Sequence, residues 1–324
     1  MAESIFVMMK RSAREMFPNA FFRIHSFLRP FPEHFIVEST NFCNLSCLGC
    51  NNPYLKRKKQ VMRLADFKKI LPQLNEIGVR QVDFDFCGEP LLNKDVSEMA
   101  RLAHESGIST FFSTNGAFIG EHADEIIKSG LDSILIDLDA VESKAYLKLR
   151  KGGNFGTVRK NIKLLCDRKK KLGSKTPFVA LSYLITSYSE KTIPEAEKLA
   201  EKLGANRLVL KSMHSMIQDP GRLKGLLPTK KEYLRDSEKA GNWFCGYING
   251  MGVILVNGDV GLCCADHFGD HVFGNVFKTP LREILKSPAY IERREKIFEK
   301  EYALCRGCVI SQGYRKTIDF KENF

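Results

Sequence analysis

Between His34 and His214, short β-branched and aromatic runs alternate with segments of helical apolar periodicity, a pattern that few folds accept. The runs are HFIVES (34–39), QVDFDF (81–86), STFFST (109–114), SILIDLD (133–139), FVALSYLI (178–185) and RLVLKS (207–212). Strands separated by crossover helices pair in parallel. In the first intervening helix Leu64, Phe67, Leu71, Leu74 and Ile77 share a face; in the last, Ile193, Ala196, Leu199, Ala200 and Leu203 do, with Gly204 as a helix stop. A closed barrel of this kind needs eight units, and the residues after Lys211 supply no more. The expected fold is therefore α/β, a partial (β/α)6 TIM-like barrel spanning 34–214.

A polar stretch with Pro220 and Pro228 follows and reads as a linker (215–242) carrying one short helix. Beyond it, 243–324 forms a smaller unit. MGVILVNGDVGLCCA reads as a β-hairpin around Asn257-Gly258, and PLREILKSPAYIERREKIFEK reads as one amphipathic helix.

Ten cysteines stand at 43, 47, 50, 87, 166, 245, 263, 264, 305 and 308. No cleavable leader is legible in the first ten residues, so a reducing cytoplasm is expected, where clustered thiols hold metal rather than pair. No apolar run reaches the roughly 18–20 residues of a membrane span. Cys43, Cys47 and Cys50 follow the first strand as CNLSCLGC, at the barrel mouth where βα loops build active sites. Three thiolates are one short of a closed zinc or four-iron site, so a cubane held by them leaves one iron open. Cys245, Cys263, Cys305 and Cys308 make a complete set of four; sulfur-only ligation suits zinc or an iron-sulfur cluster, and spacing does not separate the two.

With CxxxCxxC after a first strand and Gly88-Glu89-Pro90 after the second, the chain resembles the radical S-adenosylmethionine (radical SAM) superfamily. The resemblance implies that Cys43, Cys47 and Cys50 hold a [4Fe-4S] cluster whose open iron chelates SAM. Reduction then yields methionine and a 5'-deoxyadenosyl radical. It places further SAM contacts at Gly88, Glu89, Pro90, Ser113, Asn115 and Asp137, with Arg150 reaching the SAM carboxylate. Of Asp137 and Asp139, one is expected to face the mouth. Cys245, Gly258, Cys263, the GNV at 274–276 and the final CxxC resemble the SPASM/Twitch extension of that family. No cysteine follows Cys308, which implies the shorter form with one auxiliary [4Fe-4S] cluster on Cys245, Cys263, Cys305 and Cys308. Cys264 competes with Cys263 for that role; Cys263 lies five residues after Gly258, as in the family's GX4C element.

The layout is similar to that of the member oxidising an alcohol of 2-deoxy-scyllo-inosamine, so an alcohol dehydrogenase acting on a small polar molecule is the leading expectation. An epimerase with Cys87 or Cys264 returning hydrogen, and a peptide-modifying maturase, follow it. A non-catalytic zinc or iron-sulfur protein is the alternative from another class. Cys87 also reads as a small buried residue, and Cys166, in helical register with Ile162 and Leu165, as core. The resemblance implies an external one-electron reductant of the flavodoxin or ferredoxin type. The formal charge is +12, and LKRKK (55–59) beside the cluster loop suggests an anionic substrate, while DRKKKLGSK (167–175) reads as a solvated helix end. No nucleic-acid motif accompanies this charge. Residues 1–33 mix apolar and basic positions; they read as an amphipathic extension that covers the barrel or touches a membrane surface.

Overall fold

Each of the six apolar runs becomes a strand. The structure, a computed structural model, describes residues 30–213, 225–234, 245, 247, 250–306, 308 and 315–320. Most of the N-terminal extension and of the linker therefore lies outside the described residues. Strands β1 (His34–Val37), β2 (Gln81–Asp83), β3 (Ser109–Thr114), β4 (Ser133–Asp137), β5 (Phe178–Ile185) and β6 (Arg207–Ser212) pair in parallel, each with the next in sequence. Among the described residues β1 and β6 do not pair with each other, so the barrel is open, as expected. β1, β2 and β4 end two or three residues early, because the last residues of each run leave the ladder to build the mouth.

The connecting helices are α1 (Leu64–Glu76), α2 (Val96–Glu105), α3 (Ile119–Lys128), α4 (Ser143–Leu149), α5 (Phe155–Lys171) and α6 (Ile193–Leu203). Phe67, Ile70 and Leu74 of α1, with Ile126 of α3 and Ile162 and Leu165 of α5, pack on Val82, Phe112, Ile134, Ile136 and Leu181 of the strands. Burying each such side chain contributes about 1.5–3 kcal/mol. Successive strand residues face opposite ways, so with Ile134 and Ile136 turned to the helices, Leu135 and Asp137 face the lumen. The same alternation puts Ser113 of β3 and Lys211 of β6 on that face. Gly204 caps α6 in the left-handed region (φ 87°), and a Cβ there would meet Cys166, which is buried in the core.

The hairpin forms as expected: β7 (Met251–Ile254) and β8 (Asp259–Gly261) run antiparallel around Asn257-Gly258, with Gly258 at φ 87°. β7 pairs in parallel with β1, from His34↔Met251 to Val37↔Ile254, so the sheet runs from the barrel into the C-terminal unit. β9 (Val272–Asn275) continues it beyond β8, and β10 (Arg315–Asp319) pairs antiparallel with β6 at the far edge. The single helix expected after Thr279 is instead two, α7 (Leu281–Lys286) and α8 (Pro288–Phe298), followed by the short α9 (Ala303–Arg306). Ser287 precedes a proline, which disfavours the helical region; it sits extended at ψ 146° and its hydroxyl caps Tyr290 N.

Candidate functional site

The loop after β1 is held from several sides. Thr40 forms an antiparallel bridge with Val61, and the Asn41 side chain accepts from Gln60 N at 2.7 Å while donating to Lys58 O at 2.9 Å. Ser46 N and Leu48 N donate to Lys151 O (3.0 Å) and Leu149 O (2.8 Å), clamping both sides of Cys47 to the end of α4. Cys43 and Cys50 each accept from a backbone N–H two residues on, at 3.5 and 3.4 Å. Burial pushes the Cys43 thiol up to about 11, and Cys47 and Cys50 add to the shift. Cys47 is also raised by burial, with the Arg150 guanidinium opposing. The thiols thus feel one another, and thiolates there call for a bound cation. Among the described residues no three His, Cys, Asp or Glu side chains converge on one ion site.

Gly88 lets the β2 loop lie on this loop. A Cβ there would come 2.1 Å from Thr40 O and 2.8 Å from Phe42 O, so no other residue fits. Glu89 N donates to Phe42 O at 2.7 Å. The Glu89 carboxylate, 2% exposed, is spent on protein groups: it accepts from Leu91 N (3.2 Å), Thr114 Oγ1 (2.5 Å) and Asn115 N (2.8 Å). It caps the single 3-10 turn that Pro90 begins. Burial raises Glu89 to about 7, against those hydrogen bonds. Asn115 in turn donates to Asn44 Oδ1 at 2.8 Å, between Cys43 and Cys47. Ser113 enters through its backbone, its N–H donating to Asp85 Oδ2 at 2.7 Å; burial, with Asp83 nearby, pushes Asp85 up to about 8.

Arg150 joins the fourth strand to the cysteine loop. Its Nη1 lies 3.6 Å from Cys47 Sγ, its Nη2 is 2.8 Å from Asp137 Oδ2, and its Nε and Nη2 both bond Asp139, the former at 2.7 Å. Both aspartates therefore serve the mouth, correcting the expectation that only one does. Asp139 is fully buried and holds a left-handed φ of 50°, which costs a non-glycine residue about 1 kcal/mol or more. Its other oxygen accepts from Leu184 N at 2.9 Å, and that bond and the arginine fork fix the conformation. The two carboxylates hold the Arg150 guanidinium firmly protonated despite burial.

A seam of polar groups links the mouth to the C-terminal unit. Cys87, 7% exposed, directs its thiol to His267 O at 3.8 Å; burial raises it well above an ordinary thiol. Asn51 Nδ2 meets His267 Nδ1 at 2.9 Å, and burial lowers this histidine to about 4. Arg57 forks onto the buried Glu38 at 2.7 and 2.8 Å and donates to His267 O at 3.1 Å. Lys59 Nζ donates to Asn41 O (2.7 Å) and Asn52 Oδ1 (3.0 Å). The LKRKK run is thus partly structural: Arg57 and Lys59 are used inside, and Lys56 and Lys58 stay exposed. In the second basic run Lys169 is likewise buried, at 6% exposure, and Arg168 pairs with Asp124 at 2.6 Å.

The second cysteine set gathers behind the hairpin. Cys245, Cys263 and Cys305 pack around Leu262 and Ile297 with Phe273 and Tyr302. Burial pushes Cys263 to about 12 and Cys305 to about 12, with Cys245 adding to both and Cys308 to the latter. Cys264 packs the other way, with Ile36, Met251, Val253 and Phe86, although its thiol stays within electrostatic reach of Cys245 and Cys308. Packing is the firmer guide here, because charge acts over a longer distance than contact. Asn44, Asp85 and His267 were not legible as site residues, and Thr114 entered only as part of the Ser113–Gly116 run at the end of the third strand. Of the first three only Asp85 carried a signal, as a second carboxylate in alternation at a strand end.

Two family patterns match this chain. The Radical SAM superfamily pattern covers residues 37–207, more than half of the chain, and an iron-sulfur cluster-binding domain (SPASM) covers 245–309. A probable GTP 3',8-cyclase of Methanopyrus kandleri is 28% identical over 235 residues, 70% of this chain and 74% of that protein. Among solved structures, BtrN in complex with AdoMet and 2-DOIA has a TM-score of 0.54 at 20% identity, covering 86% of this chain and 93% of that one. SuiB of Streptococcus suis bound to S-adenosylmethionine has a TM-score of 0.64 at 17% identity, covering 88% of this chain and 75% of that one. Cysteine-rich donor sets at both matched regions suit the clusters that the two domains imply. The chain belongs to the radical SAM superfamily, with a SAM-binding [4Fe-4S] cluster and auxiliary iron-sulfur chemistry.

Proposed function

We propose that this enzyme removes hydrogen from the carbinol carbon of a small polar substrate and releases the corresponding carbonyl compound. Cys43, Cys47 and Cys50 would hold the SAM-binding cluster, and Cys245, Cys263, Cys305 and Cys308 the auxiliary one. When bound, the first cluster would supply the electron that turns SAM into methionine and a 5'-deoxyadenosyl radical, and the second would take the electron of the substrate radical as its hydroxyl proton passes to solvent. The residues of the chain position these groups. Gly88 and Pro90 shape the SAM-facing turn, Glu89 fixes Thr114 and Asn115 and Asp85 fixes Ser113 beside the cysteine loop, and Arg150, steadied by Asp137 and Asp139, sets a positive charge next to Cys47. Exposed Lys56 and Lys58 give the mouth positive charge for an anionic substrate. An external flavodoxin- or ferredoxin-type reductant completes the electron supply.

One observation carries this reading: β7, which leads into the hairpin before Cys263, is hydrogen-bonded along its length to β1, which leads into Cys43. Two thiol sets in segments joined through one sheet suit electron passage from substrate to the second site. A second reading, ring closure on a nucleotide, draws on the name of the curated relative at 28% identity. In the redox-neutral variant, Cys87 or Cys264 returns a hydrogen atom. The test is anaerobic reconstitution, reduction with dithionite, and incubation with deuterated alcohols or with GTP. Label entering 5'-deoxyadenosine together with a product two hydrogens lighter supports oxidation. GTP consumption, or a product of unchanged mass, replaces it with the second reading or with epimerisation.

A further inference from the structure

Arg293, on α8, is 1% exposed and is among the largest fully buried side chains. Its Nη1 donates to Leu262 O at 2.7 Å, while among the described residues Nε and Nη2 find no acceptor. No carboxylate pairs with it among the described residues. Its guanidinium carbon lies 4.1 Å from the Tyr290 ring centroid and 6.0 Å from that of Phe273. Aromatic faces offset part of the cost of a buried cation, but a buried guanidinium with idle donors still lacks an anion.

The surroundings indicate which anion. Leu262, whose carbonyl takes the one hydrogen bond, directly precedes Cys263. Phe273 packs in the same group as Cys245, Cys263 and Cys305, and so does Ile297, one turn along α8 on the Arg293 side. A cubane held by four thiolates carries a charge of about −2 when oxidised, and net charge is one of the levers on its potential. Resting on the reading that these cysteines hold the auxiliary cluster, we propose that Arg293 is the buried counter-ion of that cluster and raises its reduction potential. The residue acts through the cluster and is a tuning residue; it suits a site that must accept an electron.

The test uses full-length protein with Arg293→Gln, which keeps a hydrogen-bond donor but drops the charge, and Arg293→Lys, which keeps the charge. Both are made in a Cys47→Ala background, so that the auxiliary cluster alone gives an electron paramagnetic resonance signal in a potentiometric titration. Arg293→Gln is expected to move the midpoint to more negative potential, and Arg293→Lys to stay nearer the parent. Equal midpoints for parent and Arg293→Gln at equal iron content overturn the proposal. If Arg293→Gln does not load, the melting temperature of the metal-free protein decides: removing an uncompensated charge should raise it, and a drop overturns the proposal. Wild-type protein that binds about four irons rather than about eight would remove the two-cluster reading beneath it and the proposal with it; eight irons and an unmoved midpoint remove the proposal alone.

Discussion

Arg150, half-buried against Cys47, and Arg293, fully buried against the carbonyl that precedes Cys263, have their charge treated in opposite ways. Arg150 has two carboxylates, Asp137 and Asp139, and its neighbouring thiols sit on one loop of eight residues. Arg293 has two aromatic rings and one carbonyl, and the thiols packed around Leu262 and Ile297 come from separate segments at 245, 263 and 305. The first region balances its own charges through protein groups. In the second, no described carboxylate pairs with the guanidinium, which suits a bound anion. A mouth that must admit and release SAM gains from a frame that persists on its own, whereas a closed electron site can be built around a permanent guest.

The largest effect should separate the two thiol sets. Cys47→Ala is expected to abolish 5'-deoxyadenosine release and leave about four irons, while Cys263→Ala should also leave about four but keep SAM cleavage. Iron analysis and chromatography of the cleavage products read both; SAM cleavage surviving in Cys47→Ala would break the assignment of the two regions. Next comes the protein-balanced frame. Arg150→Ala strands two carboxylates, one of them fully buried, and should destabilise the protein by about 3–5 kcal/mol in denaturant unfolding. A loss under about 1 kcal/mol, the scale of a surface pair, would mean that Asp139 is held instead by Leu184 N at its carboxylate and by its own N–H on Ser182 O, 3.1 Å away.

The smallest effect is a pH slope. Glu89 is raised from 4.5 to about 7 in the folded protein. A group whose folded value is raised holds more protons in the native state, so its contribution is fully present below about 4.5 and lost as pH rises to about 7. Across that window it should remove about 3 kcal/mol at 1.36 kcal/mol per unit. Asp85, raised to about 8, adds to the same trend. Glu89→Gln should flatten the stability profile between those pH values; an unchanged slope would mean that Thr114 and Asn115 keep the carboxylate ionised.

Much of the barrel was legible because its signals are local and periodic. Ile134, Ile136 and Asp137 alternate in sequence as they alternate across the sheet, and Asn257-Gly258 demands the turn it makes. CNLSCLGC, together with Gly88-Glu89-Pro90, carried the resemblance that implied its chemistry. The break at Ser287-Pro288 was equally local and was overridden by the apolar periodicity on both sides of it. Contacts across long separations carried no such signal. Asn51 and His267 are 216 residues apart, and nothing in either segment announces the other. The basic run at 55–59 misled in part because charge in sequence does not reveal which lysine or arginine is consumed inside.

By itself, then, the sequence determined an open six-unit barrel, a hairpin unit after it and two thiol sets, since these rest on periodicity, spacing and turn chemistry within a few residues, and it carried the motifs that resemble the radical SAM superfamily. Only the tertiary structure decided that β7 extends the sheet at β1, that Cys263 and Cys264 face different neighbours, that both Asp137 and Asp139 hold Arg150, and that Arg293 is buried with no described carboxylate beside it. Those facts depend on which distant side chains share a small volume from which water is excluded, and there a charge must find its partner in space rather than along the chain.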